Sequence, residues 1–301
     1  MWHPQPGWQP LPGGSGTSTV GVWSIVEDGR ELVAKRLAAP AEHDPPELLD
    51  PRHFAYWRRS ADVALDGLVA ATAGLRSPAV VRVEEDPDGI TVVHERVPIT
   101  DNPGLFVARA LGRFAGEELA DRSWLATDQL RDRLQRVALR GGWPTLARTT
   151  VADVADHLWR HREAHLRAAD ELPVVTQHGD PVPDNLRGRD GDEVLAVDWA
   201  TLGRGPVGAD IGYYALSARE EFDYLVRAYC SGLPPGLATE DQVRQGARIT
   251  AVYTVLTRAE WALARVATGE GALAGKYRHP SVAPYLRALQ RQFPQIEALV
   301  G

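Results

Sequence analysis

The sequence predicts an α+β fold of two lobes, in which a small lobe is built on an antiparallel β-sheet with one main helix and a larger lobe is mostly helical. Two observations lead to this prediction. Strand-like runs fall in pairs around tight turns before about residue 97. After that point, apolar residues recur mainly at helical spacing. The predicted boundary therefore places the small, nucleotide-binding lobe at residues 1–97 and the helical lobe, with the catalytic loop and the acceptor pocket, at 98–301.

The first lobe opens with the glycine-rich segment LPGGSGTSTVG at residues 11–21, and two β-prone runs then flank Asp28-Gly29, a strong tight-turn signal. This pattern predicts a hairpin headed by a glycine-rich loop. A helix is predicted from about Arg52 to Gly74. Two further strand-like runs, AVVRVEE and ITVVHERV, are separated by the turn residues 86–89. Strand pairs around one helix predict a small antiparallel sheet.

Helical patterning dominates the second lobe. The predicted helices cover roughly residues 103–119, 127–140, 150–170, 207–230, 240–268 and 280–299. The exception is a β-rich island, VVTQHGDPVPDNLRGRDGDEVLAVDWA, in which short apolar runs surround two polar loops. Because ligands usually bind in clefts, the space between the two lobes is the expected binding site.

Composition excludes several classes of protein. The chain has 301 residues, of which 44% are apolar and 24% charged, as expected for an ordinary folded protein. Its 33 basic and 40 acidic residues give a net charge of −7, which disfavours a nucleic-acid partner. Cys230 is the single cysteine, so an internal disulfide is excluded and a reducing, cytoplasmic setting is expected. The sequence has neither a signal-peptide pattern nor an apolar run of about 18 residues, so no membrane association is expected.

Lysine is rare in this chain. Of the 33 basic residues, only Lys35 and Lys276 are lysines. Lys35 lies in the β-prone run LVAKRL, where a solvated strand residue is the simpler interpretation. The choice of lysine in an arginine-rich chain instead favours a point-charge contact with phosphate.

The β-rich island carries the residues that are best suited to catalysis. His178, Gly179 and Asp180 are followed by Asn185 and, after the apolar run VLAV, by Asp198. The two prolines of PVPD hold the intervening segment as a fixed loop. One aspartate in such a loop is usually a turn or cap residue. The joint pattern instead fits phosphoryl transfer, which needs a carboxylate to take a hydroxyl proton and oxygen ligands for magnesium.

The segments His178-Gly179-Asp180-x4-Asn185, Val-Asp198-Trp199 and GRGPVGAD, which ends in Asp210, resemble the aminoglycoside phosphotransferase and choline kinase family, small-molecule relatives of the protein kinases. The resemblance covers nearly the whole chain, because the glycine-rich loop and a lysine precede these motifs in the expected order. It implies a bilobal protein-kinase-like fold. It also implies a phosphotransferase with an alcohol group as acceptor, which moves the γ-phosphoryl of ATP or GTP to a small-molecule hydroxyl with Mg²⁺.

The resemblance also implies roles for individual residues. Asp180 would accept the proton of the acceptor hydroxyl or orient it, and His178 would brace the catalytic loop. Asn185 and Asp198 would hold Mg²⁺, while Asp210 would tether the loop or cap a helix. Lys35 would contact the α- and β-phosphates, backbone N–H groups of the glycine-rich loop would cover the phosphates, and the backbone near Glu95 and Val97 would bind adenine. The implied nucleotide-binding residues are Gly13, Gly14, Ser15, Gly16, Thr17, Lys35, Glu95 and Val97.

Two positions depart from the family pattern. Ser60, in WRRSADVA, stands where relatives usually carry a glutamate that pairs with the phosphate lysine. Asp62 is nearby but lies about 200° further round an ideal helix, so it does not replace that glutamate on the same face. Lys35 is then expected to pair with Asp198, unless the alignment of this helix with the family pattern is shifted. At Ala200, many relatives have an acidic or amide residue.

The acceptor is expected to be a hydroxylated metabolite or antibiotic without high positive charge. Residues 201–301 hold eleven basic and nine acidic residues, a balance of +2, which gives no support for a polycationic aminoglycoside. Several aromatic residues could form a cage for a choline-like ligand only if they face the cleft, and core packing is the simpler interpretation. They are Tyr213, Tyr214, Tyr253 and Trp261. A stripe of histidines at 157, 161 and 165 is interpreted as structural.

Alternatives to the kinase remain open at this point. Ser60 motivates a relative that binds nucleotide or ligand without turnover. A dinuclear metallohydrolase would instead use His178, Asp180, Asp198 and Asp210, and would release phosphate from esters without ATP. Protein-kinase activity is disfavoured, because the chain after Asp198 leaves no room for a long activation segment. The sequence does not determine the oligomeric state.

Overall fold

The fold is described from a computed structural model, which covers residues 2–12, 18–142, 150–266 and 283–300. The predicted glycine-rich loop, Gly13 to Thr17, lies outside the described residues. Across the described ranges, no helix is long and apolar enough to span a membrane.

The first lobe contains a five-stranded antiparallel sheet. Its segment of the chain has the strands β1 (Gln9–Pro10), β2 (Thr19–Glu27), β3 (Arg30–Ala38), β4 (Leu75–Arg76), β5 (Val80–Asp86) and β6 (Gly89–Glu95). All except β4 join one sheet in the order β1-β2-β3-β6-β5. Asp28 and Gly29 turn β2 into β3 with positive φ angles of 50° and 75°, the left-handed pair that a tight hairpin of this kind requires. The predicted hairpin is therefore present.

The two faces of this sheet have different covers, because side chains alternate along a strand. On one face, Leu37 packs with Ala61 of helix α1 (Arg59–Asp66), and Lys35 shares this face. On the other face, Trp2 and Trp8 pack on Trp23, with ring centroids 5.3 Å and 5.9 Å from it. The sheet thus presents Lys35 towards α1.

Helix α1 is much shorter than the predicted span of residues 52–74. It ends because Gly67 adopts a left-handed conformation, with φ 69°, and its N–H bonds back to Val63 O. Ahead of it, residues 46–48 form a 3₁₀ turn, and the N–H of Trp57 donates to Leu48 O at 3.1 Å. The apolar residues that suggested a longer helix therefore lie in turns on either side of α1.

The second lobe is mostly helical, and the predicted α+β class with a larger helical part is confirmed. Its helices are α2 (Gly104–Ala115), α3 (Gln129–Leu139), α4 (Thr150–Asp170), α5 (Ala209–Tyr214), α6 (Phe222–Gly232), α7 (Glu240–Val266), α8 (Ala283–Arg291) and α9 (Phe293–Val300). The single helix predicted over 207–230 is divided into α5 and α6, because Glu221 has an extended backbone, with ψ 147°. The carboxylate of the neighbouring Glu220 accepts the N–H of Gly104 at 2.9 Å. The helix predicted over 280–299 is divided at Gln292, where Pro294 has no N–H to continue the ladder.

The β-rich island, residues 174–200, supplies three short strands, β7 (Val174–Gln177), β8 (Gly188–Asp190) and β9 (Glu193–Leu195), and a further strand, β10 (Gly203–Pro206), follows it. Strands β7 and β10 pair antiparallel, and β8 and β9 form a hairpin that β4 extends by pairing parallel to β9. The strand pairing of residues 203–206 was not predicted from the sequence. The predicted boundary at 97/98 falls in the segment between β6 and α2.

Helix α5 packs closely on α7. The chain enters α5 at Gly208, with φ 88°, where a Cβ atom would lie 2.2 Å from Val243 O. At Gly212 a Cβ atom would lie 2.1 Å from Ala247 O. Larger residues would push the helices apart. This contact fixes the positions of the side chains on α5.

Arg59, the first residue of α1, joins the two lobes. Its side chain is fully buried, and all five N–H donors reach backbone carbonyl groups. Nε donates to Trp124 O (2.5 Å), Nη1 to Phe54 O (3.2 Å) and Ala200 O (2.8 Å), and Nη2 to Pro51 O (2.7 Å) and His53 O (2.8 Å). Burial lowers the pKa of Arg59 to about 10, so it is still charged at neutral pH. Arg59 thus ties α1 to the segment that follows Asp198.

Candidate active site

The catalytic loop begins where β7 ends at Gln177 and continues to Asn185. Gly179 has φ 82°, and a Cβ atom there would lie 2.4 Å from Gln129 Oε1 and 2.5 Å from Thr201 O. Both the backbone conformation and the space therefore require glycine at this position. Because Gly179 has no side chain, the loop can pass close to Gln129 of α3.

Asp210, on the first turn of α5, holds the backbone of this loop. Its carboxylate accepts the N–H of His178 at 2.7 Å and the N–H of Gly179 at 2.9 Å, and its side chain is buried. Burial raises the pKa of Asp210, although the nearby His178 and the two amide donors oppose the shift. Because both oxygens bind the loop, Asp210 does not present itself as a metal ligand, and the arrangement does not fit the dinuclear metallohydrolase.

His178 lies inside the loop with no exposed surface. The N–H of Asp180 donates to His178 Nδ1 at 3.3 Å, which makes Nε2 the protonated nitrogen, and Nε2 lies 3.1 Å from Val197 O. The imidazole centroid is 4.7 Å from the ring of Trp199. His178 therefore connects the loop to Val197 and Trp199, the two neighbours of Asp198, which is a bracing position rather than a reactive one.

Asn185 is held by Asp180, the candidate proton acceptor, and lies beside Asp198, the other candidate metal ligand. Its Nδ2 donates to the backbone oxygen of Asp180 at 2.9 Å and to Asp180 Oδ2 at 3.1 Å. The backbone oxygen of Asn185 accepts the N–H of Val197 at 2.8 Å, and this bond brings Asn185 beside Asp198. With the amide nitrogen directed at Asp180, Oδ1 is the atom that could bind a cation.

Asp198 receives the side chain of Lys35 across the two lobes. Lys35 Nζ donates to Asp198 Oδ1 at 2.6 Å, and the side chains are 13% and 34% exposed. Burial raises the pKa of Asp198, but the charge and hydrogen bond of Lys35 outweigh burial and leave the pKa lowered. Asp198 is thus a carboxylate at neutral pH. The oxygen atoms of Asn185 and Asp198 are the hard ligands that Mg²⁺ prefers, so this pair fits that ion.

Ser60 stands on the α1 side of the same space. Its Oγ is buried and has no hydrogen-bond partner in the described part of the chain. Together with Lys35 and Asp198 it lines a cavity of about 60 Å³. Asp62 faces another way, since it accepts Arg58 Nε at 2.9 Å. Lys35 therefore pairs with Asp198 and not with a carboxylate of α1. This pairing with Asp198 is the one expected from the serine at position 60.

The predicted adenine-binding segment lies at the end of β6. The N–H of Glu95 bonds to Ala79 O at 2.9 Å, and its carboxylate pairs with Arg30. Val97 is buried and contacts Gly188 of β8. His94 Nδ1 lies 2.8 Å from Glu95 O, and burial lowers the pKa of His94. His94 lines the cavity that Lys35 also lines, whereas Glu95 and Val97 do not. The residues predicted to cover the phosphates lie outside the described ranges.

Tyr213 is a functional candidate that the sequence interpretation assigned to the core. Its hydroxyl donates to Asp180 Oδ1 through a short hydrogen bond, although the ring is buried. Burial, followed by the charge of Asp180, raises the pKa of Tyr213 to about 12. Tyr213 follows Asp210 by three positions on α5, so the two side chains share a helix face. That spacing is the signal that could have identified it.

Two arginines flank the ring of Tyr213. The guanidinium of Arg258 lies 4.6 Å from the ring centroid, and its Nη2 is 3.9 Å from Asp180 Oδ1. The guanidinium of Arg133 lies 5.4 Å from the centroid, and its Nη2 donates to Gly179 O at 3.1 Å. Two guanidinium groups therefore lie near the Asp180 carboxylate on the side of the helical lobe, where Asp210 is a second acidic residue.

A cavity of about 360 Å³ adjoins the catalytic loop on this side. Its wall includes Gly179 and Tyr213, with Gln129 and Arg133 from α3 and Thr254 from α7. Tyr213, which binds Asp180, lines this space, whereas Asp180 itself does not. A volume of this size suits a small organic molecule.

The other aromatic and histidine candidates pack elsewhere. Tyr253 is buried and its hydroxyl donates to Leu158 O at 2.8 Å, while Trp261 packs edge-on against Tyr285. His157 and His161 stack with centroids 4.1 Å apart, and His165 bonds to Tyr253. In the part of the chain that the structure describes, no group of three His, Cys, Asp or Glu residues could hold a metal ion.

A small sheet lobe that delivers a lysine to an aspartate of a helical lobe, beside a His-Gly-Asp loop, defines a bilobal kinase-like phosphotransferase. The model of the APH phosphotransferase enzyme family matches residues 12–245. The chain belongs to this family. No curated protein matches the sequence significantly.

Solved structures show the same architecture. A choline/ethanolamine kinase family protein from Mesorhizobium loti is similar with a TM-score of 0.58 and 16% identity, over 97% of this chain and 92% of that chain. Amicoumacin kinase in complex with AMP-PNP, Ca²⁺ and Ami has a TM-score of 0.62 and 13% identity, over 99% and 93%. The GDP complex of aminoglycoside 2'-phosphotransferase-IIIa has a TM-score of 0.58 and 12% identity, over 95% and 91%. At these identities the likeness shows the fold.

Proposed function

We propose that this protein is a small-molecule kinase that transfers the γ-phosphoryl group of ATP or GTP to a hydroxyl group of a metabolite or antibiotic. The observation that carries the proposal is the convergence of Asp180, Asn185 and the Lys35–Asp198 pair at the junction of the two lobes. Family membership and the nucleotides in the related structures support it. Glu95 and Val97 would bind the base, and the segment from Gly13 to Thr17 would cover the phosphates.

The reaction requires few chemical groups. The acceptor hydroxyl oxygen forms a bond to the γ-phosphorus while the bond between that phosphorus and the β–γ bridging oxygen breaks, and the nucleoside diphosphate leaves. Asp180 takes or orients the hydroxyl proton, while Lys35 neutralises charge on the phosphates. Asn185 and Asp198 would hold Mg²⁺, which supplies further neutralisation of the phosphate charge when bound. His178 and Asp210 keep the loop backbone in place.

The charge around Asp180 supports an acceptor without high positive charge. The guanidinium groups of Arg133 and Arg258 both lie near the ring of Tyr213, and Arg258 approaches the carboxylate of Asp180 itself. A polycation would meet these guanidinium groups at close range, which is unfavourable.

The Asp180→Asn variant tests the mechanism. A proton-accepting carboxylate typically contributes about 10²- to 10⁴-fold to the rate, so turnover should fall by roughly that factor while the fold is kept. Asp184→Asn is the matched control, because Asp184 lies in the same loop with its side chain 95% exposed. Turnover is measured as nucleotide consumption that depends on an acceptor, found by screening antibiotics and polar metabolites. Equal turnover in the two variants would contradict the role of Asp180.

A protein that binds nucleotide without turnover is the second candidate, and the buried, unpartnered hydroxyl of Ser60 is the observation that favours it. It predicts nucleotide binding with no consumption for any acceptor. Consumption above background in the wild-type protein, lost in Asp180→Asn, would reject it.

A further inference from the structure

Lys35 depends on a carboxylate that is also a candidate metal ligand. Among the described residues, Asp198 is the carboxylate within ion-pair distance of Lys35 Nζ, at 2.6 Å. The acidic residue of α1 is engaged elsewhere, because Asp62 binds Arg58, which also binds Glu85 on β5. The lysine is largely buried, so the contact with Asp198 is not a loose surface pair.

We propose that Mg²⁺ and Lys35 compete for Asp198 in the nucleotide-free protein, so that the metal binds tightly only together with a nucleotide. The inference rests on the proposed function, since it assigns Asp198 to the metal. A dication at Asp198 would lie close to the ammonium group of Lys35, and the two charges repel. Nucleotide phosphates remove this conflict, because they accept Lys35 and leave the carboxylate to the metal.

Ser60 sets the strength of this competition. Its hydroxyl is buried without a partner, and it shares the 60 Å³ cavity with Lys35 and Asp198. The cavity therefore has space for a longer side chain between α1 and the lysine. A carboxylate at this position would give Lys35 a second acceptor. Lys35 would then bind Asp198 less strongly. Serine, with one short hydroxyl, leaves Lys35 on Asp198.

The test compares the wild-type protein with Ser60→Glu and with Ser60→Gln, which has the same shape but no charge. Binding of a fluorescent ATP analogue is followed while Mg²⁺ is titrated, and thermal unfolding shows whether each variant is folded. Ser60→Glu should lower the Mg²⁺ concentration that half-saturates nucleotide binding by about five- to tenfold, within the usual range for coupling between two sites. Ser60→Gln should change it less than about twofold, since no charge is added.

A second measurement does not depend on the folding of the Ser60 variants. Calorimetric titration of Mg²⁺ into the nucleotide-free protein should show weak binding in the wild type and about fivefold tighter binding in Lys35→Gln, which removes the competing charge. Equal Mg²⁺ affinity in these two proteins would overturn the inference, as would equal shifts in Ser60→Glu and Ser60→Gln. In both cases the proposed function would survive if the wild type still binds the analogue. A wild type that does not bind it at saturating Mg²⁺ would overturn both.

Discussion

Arg59 is expected to dominate the stability of the contact between the lobes, and Arg59→Lys measures this. A lysine has three N–H donors in place of five, so at least two of the five carbonyl groups that Arg59 binds would lose their partner. A buried polar group without a partner costs about 1–3 kcal/mol. Two such groups give a loss of about 2–6 kcal/mol in the free energy of unfolding, which corresponds to a Tm lower by roughly 4–20 °C.

The matched control is Arg58→Lys, the same substitution one residue earlier. Arg58 binds Asp62 and Glu85 near the surface, where a salt bridge contributes about 0–1 kcal/mol. Both variants are unfolded by heat and by urea, with circular dichroism as the readout. If Arg59→Lys is no less stable than Arg58→Lys, the five carbonyl contacts do not hold the lobes together as described.

Two further predictions concern the surroundings of the catalytic loop. Tyr213→Phe should raise nucleotide hydrolysis in the absence of acceptor severalfold, because Asp180 Oδ1 loses the hydroxyl that occupies it and becomes available to water. Tyr214→Phe, with Tyr214 also buried on α5, is the control, and equal rates in the two variants would contradict this role. Burial raises the pKa of Asp132 to about 6, above its unfolded value of 3.8, so the native state keeps this proton longer and stability should fall as the pH rises from 4 to 6. Melting between pH 4 and 6 should therefore show a smaller fall in Tm for Asp132→Asn than for the wild type, whereas Asp184→Asn, at a side chain that is 95% exposed, should follow the wild type; identical pH profiles of Asp132→Asn and wild type would refute the assignment.

Local patterns predicted the elements whose causes are local. The hairpin at Asp28-Gly29 follows from two adjacent residues that accept positive φ angles, and the span of α4 was predicted at 150–170 as observed. Elements that depend on distant partners were predicted less well. Strand β10 exists because it pairs with β7, and α5 is separated from α6 at the extended Glu221, beside Glu220, whose carboxylate binds the first turn of α2.

The same distinction applies to the candidate site. The residues in motif spacing, Asp180, Asn185 and Asp198, lie together as the pattern indicated. Tyr213 and Arg258 could not be assigned to this place from sequence alone, because a buried tyrosine and a helical arginine have no distinctive local pattern. Their role follows from α5 and α7 crossing beside the catalytic loop, which only the packed structure shows.

The tryptophan cover of the small sheet bears on how this protein is handled at the bench. Trp2 and Trp8 pack on Trp23, and Trp23 is paired in register with Ala34, the neighbour of Lys35. Trp2 and Trp8 are therefore part of the packed first lobe and not of a free tail. An affinity tag fused directly ahead of Trp2, or a start placed after Trp8, would alter the packing of the hairpin that carries Lys35.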